Sequence, residues 1–144
     1  MASIRSSNTS PEMRVRRLLH RLGFRYRLHQ RNLPGKPDLV LPRFRVCIFV
    51  QGCFWHRHPG CRYATTPKTR EAFWRLKFDQ NAARDLRNRN DLLQRGWRVI
   101  EIWECGTRAG EAAMLWLPDA IRDCNQKYVS WPDFSSQLAL TSTS

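Results

Sequence analysis

The chain has 144 residues, of which 25 are Lys or Arg and 12 are Asp or Glu, so its formal net charge is +13. No apolar run approaches the roughly 20 residues of a membrane span, and the N-terminus lacks the apolar segment of a signal peptide. We therefore expect a cytoplasmic protein, formed by one domain over residues 1–144 with a loosely ordered tail from about residue 135. The charge favours a polyanionic partner, although a generally basic surface without a specific ligand is the alternative.

The first predicted element is a helix with Ser10 as its N-cap and Gly23 as its C-terminal stop. Its apolar residues recur at the spacing i, i+3, i+4 and i+7, so one face is expected to be buried: Val15, Leu18, Leu19 and Leu22. Glu12 lies in the first turn, where the helix dipole favours a negative charge.

Three short strands are expected next. Residues 24–29 alternate in polarity, a short apolar run starts at Asp38, and Arg43 to Val50 is rich in β-branched and aromatic residues. After Arg45 this third stretch is apolar, which is typical of a buried strand.

A long helix is expected from about Thr69 to Gln94, with Gly96 as its stop. A strand from Trp97 to Trp103 and a last helix from about Gly110 to Cys124 follow, the latter bent before Pro118. This order of elements predicts an α/β fold with a mixed sheet and helices on its faces.

The stretch after the third strand contains a group of metal-binding residue types. Cys53, His58 and Cys61 read C-x4-H-x2-C, and Cys105 comes just after another predicted strand. Four thiolate and imidazole ligands suit a tetrahedral structural zinc site, and neighbouring strands would bring these residues to one end of the sheet. Isolated buried thiols are the alternative, and His56 could replace His58 as the ligand.

The other cysteines, Cys47 and Cys124, are expected to be buried as small hydrophobic residues. His56 is then the histidine of this segment that remains outside the zinc site. A neutral imidazole can accept a proton from water, so His56 is a candidate general base.

Asp38 begins a predicted strand, after a turn that carries Lys36. Phosphodiester hydrolysis needs oxygen ligands for Mg²⁺, and many nucleases place an Asp here with an acidic-x-Lys group on the next strand. The next strand here, Arg43 to Val50, contains no carboxylate. Either Asp38 only caps a turn, or the metal uses a backbone carbonyl and His56 supplies the base.

The long helix adds a polar stripe, because Lys77, Asn81 and Asp85 are spaced i, i+4 and i+8. This stripe is either an ordinary solvated face or an extension of the metal site. The aromatic pairs Phe54-Trp55 and Phe73-Trp74 have two interpretations as well. Aromatic side chains can unstack a duplex as wedges, or they can pack in a core, which we expect for Phe73.

Four segments together resemble the very-short-patch repair (Vsr) endonucleases: LPGKPDLVL, RVCIFVQGCFWHRHPGC, TREAFWRLKFDQNAARD and LLQRGWRVIEIWEC. The resemblance covers about Asn8 to Cys105 and implies a restriction-endonuclease-like fold. It implies an enzyme that nicks double-stranded DNA on the 5′ side of the T in T:G mismatches that arise when 5-methylcytosine deaminates. From this resemblance we also expect a monomer that is associated with the nucleoid and works with mismatch-repair proteins.

The resemblance also implies roles for individual residues. Asp38 would be the Mg²⁺ carboxylate, Val50 a ligand through its backbone carbonyl, and His56 the general base, with Glu12 and Asp85 supporting the site. The implied zinc ligands are Cys53, His58, Cys61 and Cys105. The implied DNA contacts are the wedge aromatics Phe54, Trp55 and Trp74. Lys36, Lys77 and Asn81 are further candidates for DNA contacts.

The sequence departs from the family pattern at two places. Gln51 stands where members commonly carry a histidine or an acidic residue, which bears on how the base is tuned. The chain also begins almost at the matching segment, so either Met1 takes the place of an intercalating arm residue or the true start lies upstream. A restriction- or homing-type nuclease and a zinc-stabilised DNA-binding module silenced by Gln51 are the alternative functions.

Overall fold

A computed structural model describes residues 8–134 of the chain. The expected contact of Met1 with DNA and the expected loose tail lie outside these residues. The helices are α1 (Ser10–Arg21), α2 (Glu71–Gln94), α3 (Glu104–Thr107) and α4 (Leu117–Arg122), with 3₁₀ turns at Pro42–Phe44 and Glu111–Met114. The strands are β1 (Arg27–Leu28), β2 (Leu39–Leu41), β3 (Val46–Gln51), β4 (Arg98–Trp103) and β5 (Tyr128–Trp131).

The strands form one five-stranded mixed sheet in the order β1-β2-β3-β4-β5. The pairs β1–β2 and β2–β3 are antiparallel, whereas β3–β4 and β4–β5 are parallel. Gln51 at the end of β3 pairs with Trp103 at the end of β4. The segments that follow these two strands therefore leave the sheet at the same edge. The predicted metal site requires this, because Cys53 follows β3 and Cys105 follows β4.

The two faces of the sheet are covered by different helices. One face packs against α1 and α4 through apolar side chains that are at most 2% exposed: Val15, Leu18, Leu19, Leu39, Ile48, Ile100, Ile102, Leu117 and Ile121. On the other face Leu92 of α2 packs on Val40, Cys47 and Val99. Cys47 is fully buried, which confirms its expected burial.

Helix α2 buries little of its length. Phe78 and Leu92 are its only buried residues among 24, and the remainder of the helix is partly or fully exposed. The helix therefore contributes to the core near its C-terminal end through Leu92, while Phe78 in its N-terminal half packs against Phe54 and Trp74.

Several boundaries differ from the predictions. Thr9 rather than Ser10 is the N-cap of α1, since its side-chain oxygen accepts a hydrogen bond from the Glu12 N–H at 3.3 Å. Leu22 is 38% exposed rather than buried, because the helix ends at Arg21 and the chain turns at Gly23. Helix α2 begins at Glu71, after an N-cap at Arg70.

The C-terminal third departs most from expectation. The predicted helix from Gly110 to Cys124 is broken into a 3₁₀ turn and α4, in which Pro118 occupies the first turn, where its missing N–H is tolerated. Cys124 follows the end of α4 and is exposed, so its predicted burial is wrong. Neither α3 nor β5 is predicted by the sequence patterns. Within residues 8–134, no helix combines the length and apolar character needed to cross a bilayer.

Candidate active site and metal cluster

A cavity of about 710 Å³ lies beside the C-terminal ends of β3 and β4. Its walls come from α1, the segments around β1 and β2, the end of β3 with the loop that follows, the middle of α2, and β4 with α3. Eight of the residues predicted for the site line it: Glu12, Lys36, Asp38, Val50, Gln51, Trp55, His56 and Asp85.

Asp38 is held by the neighbouring strand. It directly precedes β2, and the antiparallel pairing of β2 with β3 places its carboxylate against the end of β3. There its Oδ2 accepts a hydrogen bond of 2.7 Å from the Val50 N–H. The carboxylate therefore contacts the adjacent strand, which is more than the turn-capping interpretation requires.

Glu12 and Asp38 form a compact group with His29, which the sequence patterns did not indicate. Glu12 is 1% exposed, and its Oε2 lies 2.9 Å from Nε2 of His29. The ligand atoms of Glu12, His29 and Asp38 all lie within 4.8 Å of one another. His29 ends the predicted alternating strand, and only the fold shows that this end reaches the carboxylates.

The electrostatics of this group favour a cation. Burial raises the pKa of Asp38 to about 7, the Val50 hydrogen bond lowers it, and the nearby Glu12 charge raises it. Two carboxylates that share a buried site repel each other, and a divalent cation offsets both the repulsion and the burial. The donor set of two carboxylates and an imidazole thus fits a hard metal ion such as Mg²⁺ or a close relative.

His56 and Asp85 form a second pair of side chains that lines the cavity. Nδ1 of His56, from the loop after β3, lies 2.6 Å from Oδ2 of Asp85 on α2. Because this contact engages Nδ1, the nitrogen left to act as an acceptor in the cavity is Nε2. The arrangement matches a general base oriented by a carboxylate, and it brings His56 into the same cavity as Asp38.

The other predicted polar residues lie in different places. Gln51 is 6% exposed, and its Oε1 is one of two buried side-chain atoms without a hydrogen-bond partner in the described region. Lys36 is exposed at the cavity wall. Lys77 and Asn81 do not line the cavity, and Asn81 accepts a hydrogen bond from Arg84 at 3.0 Å. Of the polar stripe on α2, only Asp85 reaches the site.

The four cysteine and histidine side chains come together at the same sheet edge. The ligand atoms of Cys53, His58, Cys61 and Cys105 all lie within 4.8 Å of one another. Nδ1 of His58 is 3.6 Å from the Cys53 Sγ and 3.5 Å from the Cys105 Sγ. Zinc–sulfur and zinc–nitrogen bonds of about 2.3 and 2.1 Å at a tetrahedral angle separate the ligand atoms by about 3.6 Å, so the cluster fits a tetrahedral ion.

The surroundings of His58 also suit metal binding. Its Nε2 donates to the Pro132 carbonyl at 2.6 Å, which leaves Nδ1 unprotonated and directed at the thiols. Its ring stacks on Trp103, with a centroid distance of 4.3 Å. Burial raises the pKa of the Cys53 thiol, so a thiolate there needs a cation beside it. His56 points instead to Asp85, so the geometry favours His58 over His56 as the fourth ligand.

The predicted wedge aromatics form a cluster next to the cavity. Phe54 packs edge-on against Trp55 with centroids 4.9 Å apart, and Trp55 lies 5.8 Å from Trp74. All three are half-buried, so part of each ring is accessible. Phe73 is 46% exposed beneath the guanidinium of Arg70, and its predicted core position is wrong.

Further cavity residues on α2, β4 and α3 were not predicted from the sequence. Asn88 and Arg89 follow Asp85 at the spacing i+3 and i+4, which was the available signal for them. Glu101 is a lone carboxylate within the apolar strand β4, and it is 5% exposed. Glu104 completes this wall.

Comparison with known proteins gives consistent matches. A family model described as DNA mismatch endonuclease Vsr matches residues 1–62. The Type II nicking enzyme V.XorIIP of Xanthomonas oryzae pv. oryzae is 50% identical over 73% of this chain and 76% of its own length. The Type II nicking enzyme V.NmeAIP of Neisseria meningitidis is 41% identical over 73% and 74%. The DNA mismatch endonuclease Vsr of Escherichia coli K12 is 40% identical over 77% and 70%.

Proposed function

Because this chain belongs to the Vsr family of DNA mismatch endonucleases, we propose that it nicks one strand of duplex DNA on the 5′ side of the T in a T:G mismatch. The observation that carries this proposal is the convergence of Asp38 and the His56–Asp85 pair on one cavity. The mixed sheet with helices on both faces supports a restriction-endonuclease-like fold. We further propose a single nuclease domain over residues 1–144 that acts as a monomer, located with the DNA in the cytoplasm and recruited by mismatch-repair proteins.

Asp38 and the backbone carbonyl of Val50 would hold Mg²⁺, with Glu12 in support. When bound, Mg²⁺ supplies positive charge that stabilises the phosphate oxygens and the leaving 3′ oxygen as negative charge develops on them. The Val50 N–H bond to Asp38 keeps the carboxylate beside that carbonyl. Glu12 is itself positioned by the Asn8 N–H at 3.1 Å and by His29.

His56 would act as the general base. Its Nε2 takes a proton from a water molecule whose oxygen attacks the phosphorus, and the bond from phosphorus to the 3′ oxygen breaks. The products are a 3′ hydroxyl, completed by a proton from solvent, and a 5′ phosphate. Asp85 holds the proton on Nδ1 and stabilises the imidazolium that forms.

Phe54, Trp55 and Trp74 would select the mismatch. A wedge that unstacks base pairs costs less at a mispaired site, since less pairing is lost there. Trp55 packs against Trp74 and also lines the cavity that contains His56. A base step opened by these aromatic side chains would therefore lie next to His56. Zinc bound by the Cys53–His58–Cys61–Cys105 cluster would hold the loop that carries Phe54, Trp55 and His56.

A nicking assay tests the function directly. Duplexes with a T:G or a T:A pair in the same sequence are incubated with Mg²⁺, and without it, in buffer free of chelator. We expect nicking 5′ of the T in the T:G duplex only, and only with Mg²⁺, with loss of activity in H56A and D38N. Equal cleavage of both duplexes would contradict the mismatch specificity, and cleavage by H56A would contradict the role of the base.

A second candidate is a nicking enzyme that recognises a defined DNA site without a mismatch. The observation that favours it is the name of two relatives, which are Type II nicking enzymes. Sequence-dependent nicking of fully paired DNA would support this candidate. A third candidate, a silenced DNA-binding module, would bind both duplexes and cut neither, and Q51H would then restore nicking.

A further inference from the structure

Among the cationic side chains that line the cavity, Arg89 is held by contacts with two other side chains. Arg89 lies one helical turn after Asp85 on α2, and both line the cavity. Asp85 orients His56, whereas Arg89 reaches across to β4 and β5. The side chain of Arg89 is 26% exposed, so it is half-buried yet open to the cavity.

Two residues hold the guanidinium. Nη1 of Arg89 donates to the Tyr128 hydroxyl at 2.8 Å and lies 3.5 Å from Oε1 of Glu101. The guanidinium carbon sits 4.4 Å from the centroid of the Tyr128 ring. The Tyr128 hydroxyl also donates to Glu101, which closes the group. The three side chains come from α2, β4 and β5, so the fold itself sets the position of the guanidinium.

Only one nitrogen of Arg89 is used by these contacts. A guanidinium carries five N–H donors in a planar fork. Within residues 8–134, Nε and Nη2 of Arg89 make no hydrogen bond to the protein. A fork that is fixed on one side and unused on the other is suited to a second, anionic partner in the cavity.

Burying the Glu101 carboxylate beside Arg89 costs folding free energy. Glu101 is 5% exposed in the middle of a parallel strand, where an apolar residue would pack without desolvating a charge. Burial raises the pKa of Glu101, and the Tyr128 hydrogen bond and the Arg89 charge lower it. Burying a carboxylate to hold one arginine indicates that the position of that arginine matters.

The negative charge of the cavity lining explains why a fixed cation is needed there. Five carboxylates line it: Glu12, Asp38, Asp85, Glu101 and Glu104. A DNA phosphate that enters is repelled by them unless cations compensate. The lining cations besides Arg89 are Arg31 and Lys36, and both are exposed. Arg89 is thus the lining cation that a buried carboxylate, Glu101, and the Tyr128 hydroxyl hold in place.

Resting on the proposed function, we propose that Arg89 binds a phosphate oxygen of the DNA strand in the cavity, and that Glu101 and Tyr128 are its positioning residues. The free edge of the guanidinium donates to the phosphate while Nη1 stays on Tyr128. The phosphate group is then aligned relative to His56 by a rigid donor rather than by a flexible surface cation.

The first test is the salt dependence of DNA binding, measured by fluorescence anisotropy on the T:G duplex in buffer without Mg²⁺. We expect R89A to bind about tenfold more weakly, the loss of one charge-assisted hydrogen bond. The slope of log K against log salt should become less negative by about 0.9, since one phosphate contact is lost. The matched control is R95A: Arg95 is the C-cap residue of the same helix, exposed, paired with Asp91 and outside the cavity, so its slope should equal that of wild type.

The second test separates position from charge through single-turnover nicking. R89K and E101Q keep the positive charge of position 89, so their salt slopes should stay at the wild-type value. Their nicking rates should fall by about tenfold, because the donor is no longer held in place. A rate at the wild-type level in both variants would overturn the positioning role.

The outcomes remain distinct from those of the proposed function. If wild type nicks and R89A has an unchanged slope and affinity, the phosphate contact is refuted. If wild type nicks no duplex, the function fails, but the binding slope still decides whether Arg89 contacts DNA. If R89A does not fold because Glu101 is left unpaired, R89A/E101Q removes that charge, and R89K decides by its nicking rate.

Discussion

At the scale of single residues, the contact between His56 and Asp85 carries a clear prediction. D85N replaces the acceptor of the Nδ1 proton by an amide that can hold the other tautomer. We expect the single-turnover nicking rate to fall by roughly 10²- to 10⁴-fold, the range of a lost general base. DNA affinity, measured by anisotropy, should not fall, because the substitution removes a negative charge from the cavity. A D85N enzyme with the wild-type rate would show that His56 needs no orienting carboxylate.

Glu101 gives a prediction for stability against pH. Burial raises its folded pKa above the ordinary value of 4.5. A carboxyl with a raised folded pKa adds stability that is fully present below about 4.5 and is lost as pH rises through the folded value. E101Q cannot ionise, so the free energy of unfolding of wild type minus that of E101Q should decrease from pH 4.5 towards 7.

Urea denaturation at several pH values measures this difference. Y128F removes a hydrogen bond that lowers the Glu101 pKa, so the decrease should extend to higher pH in that background. A difference that stays constant with pH would mean that Glu101 has the same pKa in the folded and unfolded chains.

At the scale of elements, the packing of α3 on β5 depends on a glycine. A Cβ added at Gly106 would lie 2.5 Å from a ring carbon of Trp131 and 2.7 Å from Cδ of Pro132. We expect G106A to lower the free energy of unfolding by about 1–3 kcal/mol, as overpacking does. The control is G52A, whose Cβ would meet its nearest neighbour at 3.9 Å. Equal stability of G106A and wild type would show that α3 can move away without cost.

The elements also show what the sequence could and could not predict. The apolar residues of α1 recur at i, i+3, i+4 and i+7, and β3 is a run of apolar residues. Both are local signals, so both elements could be predicted from the sequence. Strand β5 has four residues, and its pairing with β4 is set by tertiary contacts that no local pattern records. Helix α3 has four residues and no side-chain cap, so it also lacked a local signal.

Some residues of the candidate site also have a local sequence signal, whereas others are brought to the site only by the fold. Cys53, His58 and Cys61 are close in sequence, so their spacing by itself indicates a metal site. His29 follows β1, Arg89 lies on α2 and Glu101 on β4, and only the register of the sheet and the position of α2 bring them to the cavity. The resemblance supplied the roles of Asp85 and Val50, which spacing alone left open.

At the scale of the whole molecule, the cysteine and histidine cluster links distant parts of the chain. It joins the loop after β3 to the start of α3, and His58 reaches the carbonyl of Pro132 after β5. We expect about one zinc per chain by metal analysis. Removing it, or the substitution C105S, should lower the melting temperature and abolish nicking, because the His56 loop loses its support.

C124S is the control for this prediction, since Cys124 is exposed and outside the cluster. It should keep the zinc content, the melting temperature and the nicking rate of wild type. A metal-free preparation that melts at the wild-type temperature would contradict a structural ion.

The two edge strands of the sheet are short, with two residues in β1 and four in β5. An exposed strand edge is a template on which another chain can add by main-chain hydrogen bonds, and a short edge offers few such bonds. Together with the mutual repulsion of copies that each carry a charge of +13, this limits edge-to-edge aggregation. The protein should therefore stay dispersed at the high concentrations used for crystallisation.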